Sequence, residues 1–142
     1  MIRAVLDTNT IISSIINIKG SVSQEIYQNF ILGHFLLIIS LEVLEEIEEV
    51  SKRERIIKRH NLSKEQLEII IGELASLSYV VSGTTKVEVV RDPDDNKIIS
   101  AALEAMVDYI VTRDKDLLDL KEYQKIKIVS PEEFIRLLRL RK

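Results

Sequence analysis

The sequence predicts an α/β domain with a mainly parallel sheet and helices on both faces. Apolar runs of strand length alternate with helix-like segments along the whole chain. The run Phe35–Ile39 is apolar at every position, as expected for a strand covered on both faces of a sheet. Because 142 residues give room for one domain, we expect residues 1–142 to form a single one.

Composition excludes several classes of protein. The chain has no cysteine, which excludes disulfide bonds and zinc sites built from thiolates. A net charge of −3, from 23 acidic and 20 basic residues, is not typical of a strongly basic nucleic-acid binder. Every apolar run is far shorter than the ~20 residues of a membrane-spanning helix, and we expect a cytoplasmic protein.

The first half of the chain contains two predicted strands among predicted helices. Ser40 is a natural N-cap for the helix that follows the second strand, and Ser63 with Gln66 forms a capping-box pattern. The predicted elements are strand Ile2–Leu6, a helix around residues 11–16, helix Ser21–Leu32, strand Phe35–Ile39, helix Leu41–Val50, a basic helical segment Lys52–His60 and a helix from Ser63 to about Leu77.

The second half continues the alternation. Asp92 is suited to the N-cap of a helix and Pro93 to its first position. The predicted elements are short strands Tyr79–Val81 and Val87–Val90, a helix from Asp92 to about Met106, strands Tyr109–Thr112 and Ile126–Val129, and a last helix that starts at Ser130.

Acidic residues follow two of the predicted strands. Asp7 comes directly after the first strand, and Asp114 and Asp116 follow the Tyr109–Thr112 strand. Ligands of open parallel sheets bind beyond the carboxyl ends of the strands, where the strand order reverses. The sequence therefore places candidate chemistry at this edge.

Two helices contribute further candidates. Asp95 lies in line with Ile98 and Ile99, so it points along the buried side of its helix. Stabilisation of the helix dipole, worth about 0.3–1 kcal/mol, does not require that direction, and a functional role is favoured. Glu46 borders the apolar side of the earlier helix, but spacing favours it only slightly over Glu48.

Carboxylates gathered in one cleft repel each other, and their pKa values rise. A divalent cation stabilises such a group, and a site with only oxygen donors suits Mg²⁺ or Mn²⁺. One or two such ions could lower the pKa of a water and stabilise the leaving oxygen of a phosphodiester.

Four segments in order resemble the acidic motifs of PIN-domain proteins, particularly small prokaryotic ones assigned as toxins of type II toxin–antitoxin systems. The family's usual ending is similar to the segment 128–134. The four segments are Val5–Ile11, Ser40–Ile47, Arg91–Ala102 and Val111–Leu118.

The resemblance implies a three-layer α/β/α sandwich and a Mg²⁺- or Mn²⁺-dependent endoribonuclease. It selects Glu46 in the second motif, which spacing left open. Asp116 would assist in metal binding, and Asn9 and Thr112 would support the site. The implied catalytic and metal-binding residues are Asp7, Glu46, Asp95 and Asp114.

The resemblance also implies partners: RNA, a cognate antitoxin, and a second copy of the chain in a homodimer or larger assembly. Cations near the motifs could contact RNA phosphates, although such runs usually form a solvated helix face. Arg113 occupies a place that is often small in relatives. The candidate RNA contacts are Lys52, Arg53, Arg55 and Arg113.

Two other classes compete. A phosphohydrolase of the haloacid-dehalogenase type would fit the opening Asp7-Thr8, but its chemistry needs a second Asp where this chain has Asn9. A non-catalytic RNA-binding or receiver-like module is the other alternative. A receiver would need a phosphoacceptor after the third strand and a Lys near the end, and neither is clearly placed.

Overall fold

The computed structural model describes residues 1–15, 20–53 and 63–141 and contains a six-stranded sheet in the order β3-β2-β1-β4-β6-β5. All neighbours pair in parallel except β5 with β6. The strands are β1 (Arg3–Leu6), β2 (Leu36–Ser40), β3 (Tyr79–Val81), β4 (Tyr109–Val111), β5 (Glu122–Tyr123) and β6 (Ile126–Val129). The described helices are α1 (Thr8–Ile15), α2 (Val22–Ile31), α3 (Leu41–Ser51), α4 (Lys64–Leu77), α5 (Pro93–Glu104), α6 (Lys115–Leu118) and α7 (Pro131–Leu140).

Two apolar cores lie on opposite faces of the sheet, which confirms the predicted three-layer α/β/α architecture. Successive strand residues alternate between them, as the pleat requires: Ala4 and Leu6 belong to one core and Val5 to the other. The first core is covered by α1–α4 and α7, and Phe134 of α7 is completely buried in it. The second is covered mainly by α5.

The predicted helix starts are confirmed in atomic detail. The Ser40 hydroxyl accepts a hydrogen bond from the Val43 amide at 3.2 Å, and Ser63 and Gln66 form the capping box. Asp92 caps α5 through the Asp94 amide at 2.9 Å. Satisfying these otherwise unpaired amides fixes where each helix begins.

One predicted strand is wrong. Val87–Val90 forms an irregular segment instead, because the amides of Val89 and Val90 both donate to Oδ1 of Asn96 at 3.0 Å rather than to a neighbouring strand. The sequence also gave no sign of α6 or of the antiparallel β5. The helix that opens at Asp92 ends at Glu104, two residues before the predicted Met106.

Parts of two other predictions lie outside the described residues. Those parts are Ile16 of the first predicted helix and residues 54–60 of the basic segment. Helix α3 ends at Ser51, so Lys52 and Arg53 follow it. Among the described residues, no helix is both long and apolar enough to cross a membrane.

The sheet has its switch point between β1 and β4. From β1 the chain builds outward through β2 and β3, and it then returns to add β4 on the other side of β1. The connections on the two sides of this point diverge, which leaves a crevice at the carboxyl ends of β1 and β4. Asp7 and Thr112 come directly after those two strands.

Candidate metal centre

A cleft of about 670 Å³ opens at the switch point. It brings together residues that are far apart in the sequence and come from the ends of two strands and from two helices. Four predicted acids lie on its walls, together with Asn9: Asp7, Glu46, Asp95 and Asp114. Asp116 does not line this cleft, but its carboxylate lies close to those of Asp95 and Asp114.

Asp7 is held firmly from two sides. Its Oδ1 accepts a hydrogen bond from the Thr10 amide at 2.7 Å, which ties the carboxylate to the first turn of α1. Its Oδ2 accepts from the hydroxyl of Thr112 across the neighbouring strand, at 2.5 Å. Both contacts orient the carboxylate before any ligand arrives.

Thr112 joins the two strand ends. Its side chain is fully buried, and its hydroxyl oxygen, besides donating to Asp7, accepts from the Asp114 amide at 3.0 Å. Its own amide donates to the carbonyl of Val129 at 3.0 Å, which extends the pairing of β4 with β6. A single hydroxyl therefore sets the positions of Asp7 and of the turn that carries Asp114.

Asp95, Asp114 and Asp116 form a compact group of carboxylates. Each offers one oxygen, and these three oxygens lie within 4.8 Å of one another. Asp114 caps α6 by accepting from the Asp116 amide at 2.8 Å, and this turn brings the two side chains to the same place.

Asp95 is the buried member of this group. It is only 8% exposed, and its Oδ2 has no hydrogen-bond partner within the described part of the chain. Burial, and then the charges of Asp114 and Asp92, raise the pKa of Asp95 to about 7 from its usual 3.8. A buried oxygen without a partner is costly, and a bound cation would satisfy it.

The donor set fits a hard divalent ion. All the candidate ligands are carboxylate oxygens, which Mg²⁺ and Mn²⁺ accept and softer metals do not favour. The unpartnered oxygen of Asp95 is the place where such an ion would contribute most.

Glu46, on α3, also lines the cleft. Glu46 is exposed, and Val43 and Val50, three residues before it and four residues after it on the same helix, also line the cleft. Glu48, the alternative that helical spacing left open, does not line the cleft. Its Oε1 forms an ion pair with the Lys52 ammonium, which donates a hydrogen bond to it at 3.3 Å.

The structure places the predicted RNA contacts differently from one another. Arg53 and Arg113 line the cleft, whereas Lys52 does not. Arg113 is paired with Glu132, its Nη1 lying 2.6 Å from Oε1. Arg55 lies outside the described residues.

Sequence reasoning missed Lys97 as a residue of this site. Its ammonium donates to Glu42 at 2.6 Å and lies 3.8 Å from Asp94, and it lines the cleft. The only signal in the sequence was its position two residues after Asp95, which does not reveal that its ammonium would reach Glu42 in the first turn of α3.

The comparisons with known proteins agree with this geometry. A profile of the PIN domain matches residues 3–116, so the chain belongs to the PIN-domain family. PIN domains are generally metal-dependent nucleases. The chain is also similar to the uncharacterized protein MJ1680 of Methanocaldococcus jannaschii, with 32% identity over 145 positions that cover 94% of this chain and 90% of the relative.

Proposed function

We propose that this protein is a Mg²⁺- or Mn²⁺-dependent endoribonuclease. The observation that carries the proposal is the buried oxygen of Asp95, which has no hydrogen-bond partner among the described residues and lies beside the carboxylates of Asp114 and Asp116. Such an arrangement is unfavourable alone and becomes favourable around a cation.

The acidic residues of the cleft would serve as the metal ligands. Asp7, Glu46, Asp95 and Asp114 would hold the metal, with Asp116 assisting. A divalent ion there supplies Lewis acidity, which lowers the pKa of water and offsets charge on a phosphodiester. Asp7 enters the site already oriented by its two hydrogen bonds, so little ordering remains when the ligand binds.

RNA as the substrate is supported by the family and by the cations of the cleft. Arg53, Lys97 and Arg113 stand on its walls and would face a phosphate backbone there. Asn9 lies where a haloacid-dehalogenase-type enzyme would need a second Asp, which disfavours that alternative.

The test is hydrolysis of a mixed RNA by the purified protein with Mg²⁺, with Mn²⁺ and with a chelator. We expect cleavage with either metal, none with the chelator, and severe loss in Asp7→Asn and Asp95→Asn. Asp119→Asn is the matched control, since Asp119 is exposed and does not line the cleft. Cleavage that survives chelation or both substitutions would contradict the proposal, and phosphate transfer to Asp7 from acetyl phosphate would favour its rivals.

Because the chain belongs to the PIN-domain family, we also propose that the protein is the toxin of a toxin–antitoxin pair and that it assembles as a homodimer or larger oligomer. Induced expression should arrest bacterial growth for the wild type and not for Asp95→Asn, and co-expression of the product of the adjacent gene should relieve it. Sedimentation of the purified protein should give at least twice the 16.3 kDa chain mass. Equal growth of both strains would refute the toxin role, and a monomer mass would refute the assembly.

A further inference from the structure

Two cavities border the three clustered carboxylates. Asp114 faces the main cleft. Asp116 faces a shallower hollow of about 310 Å³, whose other lining residues are Val89, Val90 and Arg91. A chain that passes over the carboxylates can therefore reach both cavities.

The shallow hollow lies on a segment that is fixed in place. Oδ1 of Asn96 accepts from the amides of Val89 and Val90, and its Nδ2 donates to the carbonyl of Val90 at 2.9 Å. Further back, the hydroxyl of Ser100 donates to the carbonyl of Thr85 at 2.7 Å. Helix α5 therefore anchors the backbone from which Arg91 projects.

The cations of the two cavities fall into two kinds. Lys97 and Arg113 are engaged by Glu42 and Glu132. Arg53 in the main cleft and Arg91 in the hollow are exposed, and neither has a side-chain ion pair with any described residue. Within the described residues these two guanidinium groups are therefore available to an anionic ligand, one in each of the two cavities that border the carboxylates.

We infer that a single RNA strand runs from Arg53 across the carboxylates into the hollow, where Arg91 binds a phosphate next to the cleaved one. This inference rests on the proposed ribonuclease function. Val89 and Val90 are half-buried and offer an apolar surface to one base or ribose. A base can lie on them only when it is unstacked, so the substrate at this site is single-stranded.

The experiment compares Arg91→Ala with Lys127→Ala in steady-state cleavage of a labelled single-stranded RNA. Lys127 is an exposed cation whose register with Tyr109 places it at the amino end of β4, away from both cavities. We expect Arg91→Ala to raise KM about 10-fold, as for one lost charged hydrogen bond, with kcat within about twofold. The slope of log affinity against log salt should fall by about 0.7, and Arg91→Lys should recover part of the affinity.

Two further measurements separate this inference from the proposed function. The affinity of Arg91→Ala for Mg²⁺ without RNA should match the wild type, and a labelled duplex should be cleaved far more slowly than the single strand. If the wild type cleaves RNA but Arg91→Ala has the KM of Lys127→Ala, the path is wrong and the function stands. A fall in kcat or in Mg²⁺ affinity without a rise in KM, or equal cleavage of duplex RNA, also overturns the path. If the wild type neither binds nor cleaves RNA, both proposals fail.

Discussion

Asp7 and Asp95 line the same cleft, yet their surroundings are opposite. Both oxygens of Asp7 accept hydrogen bonds, from the Thr10 amide and the Thr112 hydroxyl. Asp95 is buried among other carboxylates, and its Oδ2 has no partner in the described structure. Hydrogen-bond donors position Asp7, whereas the buried carboxylate of Asp95 has no positive charge to compensate it among the described residues.

This difference shows how an acidic site can be rigid and still require a cation. Fixed donors keep Asp7 in place at little cost, because each removes an unsatisfied group. The Asp95 side lowers the stability of the metal-free protein, since burial and like charges both disfavour its ionised form. Interactions that lower the stability of the folded protein in this way are common at functional sites.

The largest effect on activity should come from removing a negative charge beside Asp95. Asp114→Asn removes a proposed ligand and the charge that raises the pKa of Asp95 most. Mg²⁺-dependent turnover should fall by more than the about 10–100-fold that loss of a supporting residue costs. The pKa of Asp95, followed by carboxyl NMR, should also fall from about 7 towards its usual range. Turnover and titration unchanged from the Asp119→Asn control would contradict this reading.

The substitution Thr112→Val tests the hydrogen bonds that position Asp7. Valine keeps the shape of the buried threonine but removes the hydroxyl that reaches Asp7 and the Asp114 amide. We expect a loss of activity of about 10–100-fold, as for other residues that orient a ligand. Thr112→Ser keeps the hydroxyl and should retain most activity, whereas equal loss in both variants would attribute the effect to packing.

The substitutions Asp95→Asn and Asp7→Asn should change the stability of the metal-free protein in opposite directions. The pKa of Asp95 is about 7 when folded and 3.8 ordinarily, so stability is lost as the pH rises through this window. In metal-free protein at pH 8, Asp95→Asn should raise Tm by about 4 °C, and at pH 4 it should have little effect. Asp7→Asn puts an amide opposite a donor and should lower Tm at pH 8. Thermal melts in chelator measure both, and a lower Tm for Asp95→Asn at pH 8 would refute the comparison.

The smallest effect on stability should come from the exposed ion pair between Arg113 and Glu132. The pair between Arg113 and Glu132 is partly exposed on both sides. Arg113→Ala should therefore change the free energy of unfolding by less than about 1 kcal/mol, measured by urea denaturation. A larger loss would mean that Arg113 supports the site structurally.

Much of the fold could be read from local patterns. The strands β1, β2, β4 and β6 were predicted within a residue or two, because parallel strands covered on both faces are mostly apolar. Helix starts were also readable, since N-caps such as Ser40 and Ser63 act within three residues.

The failures came from side-chain contacts that the pattern within a single segment does not reveal. Val87–Val90 has the apolar pattern of a strand, but Asn96 binds its amides and holds it as a loop. At the site, strand ends and helix direction predicted that Asp7, Asp95 and Asp114 would approach the cleft, whereas only the family resemblance selected Glu46. Local sequence did not reveal that Thr112 bridges two strand ends, or that Arg91 stands beside Asp116.

The central claim is that the carboxylates around Asp95 bind a divalent ion, and calorimetric titration of Mg²⁺ and Mn²⁺ at pH 8 tests it most directly. The wild type should bind at least one ion per chain and gain thermal stability from it. Asp95→Asn should lose that binding while Asp119→Asn retains it. Equal affinity in the wild type and Asp95→Asn, or no binding by the wild type, would contradict the account.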